Sequence, residues 1–438
     1  MREVAVIGGG WAGCAAAVEL ARRGANVTLF EAARSLGGRA RGVEINGCQL
    51  DNGQHILLGA YTETLRLMRV VGMQAGSALL RLPLQMRYPS SSAGMDFVAP
   101  RLPAPLHVLA GLLRASGLSR EDKLSLARFS TTARWMDWQL NIDCTVTELL
   151  DRYDQTDRLI RLMWRPLCIA ALNTPPERAS AQIFLNVLRD SLGARRAASD
   201  MLLPRFDMTQ IFPKHAASFI QRHGGSIRCG QSVGGIGRDG DRWRLDVTNT
   251  PEASEAKFDG VVVATQATRA ASLLDGVAAV SLPDFDYEPI STCYLQYAPD
   301  ISLAQPLFAL LDDAASGQWG QFVFDRGQLD ARHAGLLSVV VSASADAVAL
   351  GHETTATAIA MQLATVFQQP ALAHPQWTKM ISEKRATFSC TPALARPGNQ
   401  TGCENLVIAG DYTASDYPAT LESAVRSGVE AAKLLLKK

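Results

Sequence analysis

The feature that most constrains this chain lies at its start, where residues 4–32 read VAVIGGGWAGCAAAVELARRGANVTLFEA. An apolar run from Val4 to Ile7 leads into glycines at positions 8, 10 and 13. A helical stretch follows to Arg23, a second apolar run spans Val27 to Phe30, and Glu31 closes the segment. This order is the βαβ unit of dinucleotide-binding folds, and it commits the chain to an α/β sheet. Gly8 permits the tight turn, Gly10 lets backbone approach a pyrophosphate, and Gly13 lets helix and strand pack closely. The pyrophosphate is expected on the free N–H groups and positive dipole end of the helix. Glu31, 18 residues beyond Gly13, is placed to accept hydrogen bonds from a ribose diol. An acid there disfavours a 2′-phosphate, which leaves FAD or NAD.

Two further stretches point to FAD. In SLGGRARG, Gly37, Gly38 and Arg39 directly follow the second strand, where backbone must pass close to the cofactor and a cation can meet phosphate or ribose. At the far end, NLVIAGDYTASDYPATLESAVRSGVEAAKLLL reads as a strand ending in Gly410 and Asp411, a loop, and an amphipathic helix. A flavin nucleotide is too long for one βαβ unit to enclose, so a distant strand and helix must return to hold it. Asp411 is expected on ribityl or pyrophosphate-side groups. The helix start at Ala419, Thr420 and Leu421 is expected to face the pyrimidine edge, where its dipole stabilises the negative charge of reduced flavin. Between the ends, a buried strand from Val261 to Thr265 returns to the sheet, and Val233 is expected beside the adenine.

These returns divide the 438 residues into an FAD-binding domain of 1–80, 205–275 and 400–438, and an interleaved α+β substrate domain of 81–204 and 276–399. The length suffices for two cores. Hydrophobic residues make up 47% and charged residues 19%, yet the one charge-free run longer than ~20 residues, 354–378, is interrupted by Thr, Gln and Pro, so no spanning helix is expected. The surplus apolar surface is expected to line an interior lipid pocket. A net charge of +1 gives no reason to expect nucleic acid. The eight cysteines form no C-x-x-C pair, and Val4 already begins a strand. They read as reduced thiols of a cytosolic protein, and no metal site is expected.

The quoted stretches resemble the flavin-containing amine oxidase and phytoene desaturase superfamily, and LDNGQHILLGAYTETLRLMRVVG is similar to its squalene- and carotene-processing members. WRPLCIAALNTPPERASAQIFLNVLRD and SDMLLPRFDMTQIFPKHAASFI resemble the bacterial hydroxysqualene dehydroxylases, over nearly the whole chain. The resemblance implies a Rossmann-like domain of glutathione-reductase and amine-oxidase type, and reduction of hydroxysqualene to squalene for hopanoid synthesis. GQHILLGAY and GDYTASDYPATLESAVRSG are also similar to carotene desaturases, which run in the opposite redox direction. A third class on this fold, the prenyl-lipid escort proteins, lacks the flavin glycines that this chain retains.

Loss of an allylic hydroxyl needs an acid, an apolar tunnel for a polyprenoid chain and a hydride donor. His55 is the first expected acid, kept protonated by a neighbouring carboxylate. Asp416 is the second and needs burial to raise its pKa. Asp51 is a further candidate whose first reading is to stabilise the turn before Gly53, and Tyr417 is a weaker donor. Asn173 and Thr174 could contact the hydroxyl or simply stop a helix. No second dinucleotide fingerprint identifies the electron donor. A polyprenoid substrate dissolves in bilayers, so peripheral contact with the cytoplasmic membrane is expected through residues 101–129. There Leu106, Leu109, Leu112 and Leu113 fall at helical spacing, with Arg101, His107, Arg114 and Arg120 nearby. The same periodicity suits a core helix.

Overall fold

A computed structural model of the chain describes residues 1–248 and 256–437, so residues 249–255 and 438 of the expected FAD-binding domain lie outside the described residues. Five parallel strands form the first sheet, in the spatial order Ser226–Cys229, Asn26–Glu31, Glu3–Ile7, Gly260–Val263, Leu406–Ile408. In chain order this is 3-2-1-4-5, the doubly wound arrangement, whose switch point lies beside the first strand. Val4, Val6 and Val261 to Val263 are fully buried, as strands covered on both faces require. Helices Trp11–Arg22 and Leu421–Leu436 pack on one face, backbone to backbone: a Cβ on Gly428 would lie 2.1 Å from the Ala12 carbonyl oxygen.

The long excursions between these strands, residues 32–225 and 264–405, carry the rest of the molecule. A second, antiparallel sheet has the order Leu307–Ala309, Phe322–Asp325, Leu336–Ser342, Tyr287–Gln296, Trp377–Phe388. Side chains alternate along Leu336–Ser342. Leu337, Val339 and Val341 pack against Ile359 and Leu363 of helix His352–Phe367, whereas Ser338 and Val340 face Gln54 and Ile56. Strand Met201–Pro204 pairs with both Leu57–Leu58 and Leu79–Leu82. The expected division at residue 80 therefore runs through one small sheet.

The C-terminal helix also anchors a neighbour in a way its sequence does not announce. Glu422 is 1% exposed, and its carboxylate accepts the backbone N–H groups of Glu63 at 3.0 Å and Thr64 at 2.9 Å, capping helix Thr62–Val70. Arg426 pairs with it at 2.7 Å. A Glu422→Ala variant leaves the Glu63 and Thr64 donors unsatisfied and takes the carboxylate from Arg426, which keeps only the Thr62 hydroxyl and the Tyr417 ring, at a cost of about 2–4 kcal/mol. Chemical unfolding should show that loss, and Glu422→Gln, which keeps one acceptor, should lose less.

Candidate active site

The glycine loop has the shape its residue types demand. Gly8 sits at φ +106°, and a Cβ there would lie 2.4 Å from the Ala264 carbonyl oxygen; one on Gly13 would lie 1.9 Å from that of Gly8. Gly10 differs, because a Cβ would meet only the Gly38 Cα, at 4.0 Å. The space above Gly10 is a cradle that a side chain would fill. Helix Trp11–Arg22 begins there with no side-chain cap and no acid in its first turn, so its N–H groups remain free for an anion. Gly37 (φ +120°) and Gly38 (φ +62°) fold over the same loop, with the Gly37 N–H donating to the Gly9 carbonyl at 2.8 Å. Glu31 accepts the Gly9 N–H at 2.6 Å and the Ala33 N–H at 2.7 Å, which fixes its carboxylate at the loop's edge.

The two ends of the chain meet here. Arg39 pairs with Asp411 at 2.6 Å and donates to the Ala386 carbonyl at 2.7 Å. Tyr412, beside Gly410, holds a buried hydroxyl with no partner. Ala419, Thr420 and Leu421 are half-buried at the start of the C-terminal helix, where Thr420 and Ser423 form a reciprocal cap. Val233 is buried at the head of a three-stranded meander, its carbonyl held by Arg269. Nearby Gln231, which sequence reasoning passed over, has a buried side-chain oxygen without a partner. The uncapped helix start, the open cradle and the unpartnered Tyr412 hydroxyl fit a dinucleotide that carries a ring system.

The expected acids fare differently. His55 is not beside a carboxylate: the charge it feels is the buried Arg326 guanidinium. Burial, opposed by the Gly53 backbone and aided by Arg326, pushes its pKa down to about 4, and its Nδ1 has no partner. His55 is therefore neutral at pH 7, contrary to expectation. Asp416 is exposed, so it lacks the burial its expected role needs. Tyr417 donates to Asp190 and lies under Arg426, its hydroxyl pushed up to about 12, chiefly by burial. Asn173 and Thr174 spend their polar atoms on packing. Asn173, at φ +50°, ends its helix and bonds Glu288, Thr387 and Ala343, while Thr174 bonds Leu172 and Cys390.

Asp51 is the buried acid. It is 2% exposed, its Oδ1 accepts the Met208 N–H at 2.7 Å, and Tyr294 donates to its carbonyl at 2.9 Å. Burial raises its carboxyl from 3.8 to about 7, against the opposing pull of the Met208 N–H and Arg326. Arg326 is 2% exposed and donates to Gln54 Oε1 at 3.2 Å, and Ser338 donates to the same oxygen at 2.9 Å. Sequence reasoning missed Arg326, whose only local signal is a charge directly after the apolar strand Phe322–Asp325.

Residues 11–436 match the family described as flavin containing amine oxidoreductase. The chain is 30% identical to hydroxysqualene dehydroxylase of Rhodopseudomonas palustris, over 99% of this chain and 98% of that one. It is 22% identical to the probable zeta-carotene desaturase of Synechococcus elongatus, over 99% and 98%. Among solved structures, an oxidoreductase from Methanosarcina mazei superposes with a TM-score of 0.73 at 15% identity, covering 98% of this chain and 99% of that one. The glycine cradle, the returning C-terminal strand and helix, and these full-length likenesses place the chain in the flavin-containing amine oxidoreductase family, as an FAD-dependent oxidoreductase.

Proposed function

We propose that this enzyme removes the allylic hydroxyl of hydroxysqualene to give squalene. The observation that carries the reading is a carboxyl held near neutrality, Asp51, and a buried Arg326 whose charge reaches both Asp51 and His55 while it bonds Gln54, next to an apolar seam. Ile56, Leu80, Leu82, Phe322 and Val340 are half-buried along that seam. Phe322 also packs on the large core cluster against which Leu167, Ala171, Ile183 and Val187 of the helical part are half-buried. A squalene-length chain suits such a lining, and the dehydroxylase relative exceeds the desaturase relative in identity, 30% against 22%.

Asp51 holds the proton, and neutral His55 orients the departing hydroxyl through its unpartnered Nδ1. Protonation breaks the C–O bond, the oxygen leaves as water, and an allylic cation remains. FAD held by the Gly8–Gly13 loop, Gly37, Gly38 and the Arg39–Asp411 pair would, when reduced, supply the hydride for the new C–H bond. Burial pushes the thiols of Cys168, Cys293 and Cys390 up, so they stay un-ionised and are weak nucleophiles toward a cation. Anaerobic mixing tests the reading: reduced enzyme should be reoxidised by hydroxysqualene, and oxidised enzyme should not be bleached by zeta-carotene. The reverse pattern identifies a desaturase.

The apolar substrate also needs a route from the bilayer. No helix among the described residues is long and apolar enough to cross a membrane. On helix Leu106–Arg114, however, Leu106, Leu109 and Leu113 are 52%, 46% and 65% exposed, whereas Leu112 is buried. Leu102 adds to this face, and Arg101, Arg114 and Arg120 are exposed around it. Burying the exposed parts of the three helical leucines contributes on the order of 3–5 kcal/mol before ordering costs, enough for reversible docking on an anionic leaflet. Leu109→Glu with Leu113→Glu should abolish flotation with anionic liposomes and leave FAD content unchanged. Unchanged flotation removes this segment as the contact.

A further inference from the structure

The proposed reaction takes up one proton for every hydroxyl expelled as water. Once a polyprenoid chain fills the apolar seam, with its mouth against a membrane, solvent has no access from that side. The structure offers another route. A surface pocket of about 200 Å³ lies beside the hairpin Gly42–Asp51, lined among others by Gln49, Arg205, Asp207, Asp330, Arg332 and His333. His333 is only 9% exposed and its Nδ1 is buried without a partner. It ends a short helical turn, Ala331–His333, that packs on the preceding turn carrying Arg326. From Arg326 the contacts run to Gln54, and so to the residue before His55. From Asp207, on another wall of the pocket, the next residue's N–H is the one that Asp51 holds.

Three buried nitrogens without partners therefore fall on one seam: His333 Nδ1, Arg326 Nε and His55 Nδ1. An unsatisfied buried polar atom costs about 1–3 kcal/mol, and such atoms cluster where a function uses them or water threads the interior. The flanking residues Ile45, Leu50 and Leu336 are buried apolar packing, so the polar seam is bounded. We propose that this pocket is the port through which solvent protons reach Asp51, with His333 carrying them across its floor.

The proposal rests on the dehydroxylation reading and adds a place of entry to it. His333 faces Arg326, Asp330 and Arg332 from the two helical turns, the Gln49 backbone from the hairpin, and Arg205 and Asp207 across the pocket. Asp51 faces Arg326, Asp207 and Tyr294. Burial first, then Arg326, lowers the His333 pKa, which suits a group that passes a proton on rather than holding it.

The test is reoxidation of photoreduced holoenzyme by hydroxysqualene between pH 6 and 9, in H2O and D2O. His333→Gln and His333→Ala should slow it at least tenfold above pH 7 and enlarge the solvent isotope effect, with FAD content and substrate saturation unchanged. Free imidazole, small enough for the pocket, should restore the alanine variant. Wild-type rates, an unaltered pH profile and no response to imidazole would overturn the port. Wild-type enzyme that hydroxysqualene cannot reoxidise would instead overturn the dehydroxylation reading, and the port with it.

Discussion

Gly10→Val should yield a folded, colourless protein. Gly10 has φ −72° and ψ −178°, extended backbone that valine adopts freely. Its added carbons would enter the space where nothing nearer than the Gly38 Cα, 4.0 Å from a Cβ, stands in the way. That space is the one a pyrophosphate must use to reach the free N–H groups of helix Trp11–Arg22. Filling it should weaken FAD binding at least 100-fold, roughly 3 kcal/mol, with unfolding of the apoprotein unchanged. Gly13→Val makes the contrast, since its Cβ would lie 1.9 Å from the Gly8 carbonyl oxygen and the fold itself should fail. Titration of apoprotein with FAD checks the pair. A Gly10→Val protein purified with stoichiometric flavin refutes the placement.

Asp51→Asn should slow flavin reoxidation by hydroxysqualene about 10²–10⁴-fold, the usual worth of a positioned acid. Asparagine keeps an oxygen for the Met208 N–H but carries no transferable proton. In the wild type the rate should fall as pH rises through about 7, where this carboxyl ionises. Stability gives a second readout. The carboxyl's pKa is higher folded than unfolded, so the stability it contributes is fully present below the ordinary value of 3.8 and is lost as pH rises to about 7. Urea unfolding should therefore find Asp51→Asn more stable than wild type at pH 8, by on the order of 2–4 kcal/mol, and little different at pH 4. A wild-type rate in Asp51→Asn across this range moves the acid elsewhere. Asp416→Asn, at an exposed position, should keep the wild-type rate.

What could be read from the sequence was whatever a short stretch of backbone dictates by itself. Gly8, Gly10, Gly13 and Glu31 lie within one βαβ unit, so their residue types alone specify the turn, the approach and the acid at the strand end. Arg39 and Asp411 were each legible as site residues, but their ion pair spans 372 positions and belongs to the assembled fold. His55 shows the converse. A neighbouring carboxylate was the expected partner, whereas the charge that reaches the imidazole is Arg326, brought in from the second sheet. Arg326 and His333 acquire meaning only through burial, which no local pattern encodes. The leucines of residues 106–113 had the right period for either core or surface, and only packing shows that Leu112 turns inward while Leu106, Leu109 and Leu113 do not.

The central claim is that hydride passes to the carbon that loses its hydroxyl. Reduced enzyme mixed anaerobically with hydroxysqualene in D2O measures this directly, because the hydrogen a reduced flavin transfers exchanges with solvent. The account predicts one squalene per flavin reoxidised, carrying a single deuterium at the former carbinol carbon. Squalene without deuterium, or flavin that stays reduced while the alcohol is recovered, would contradict it.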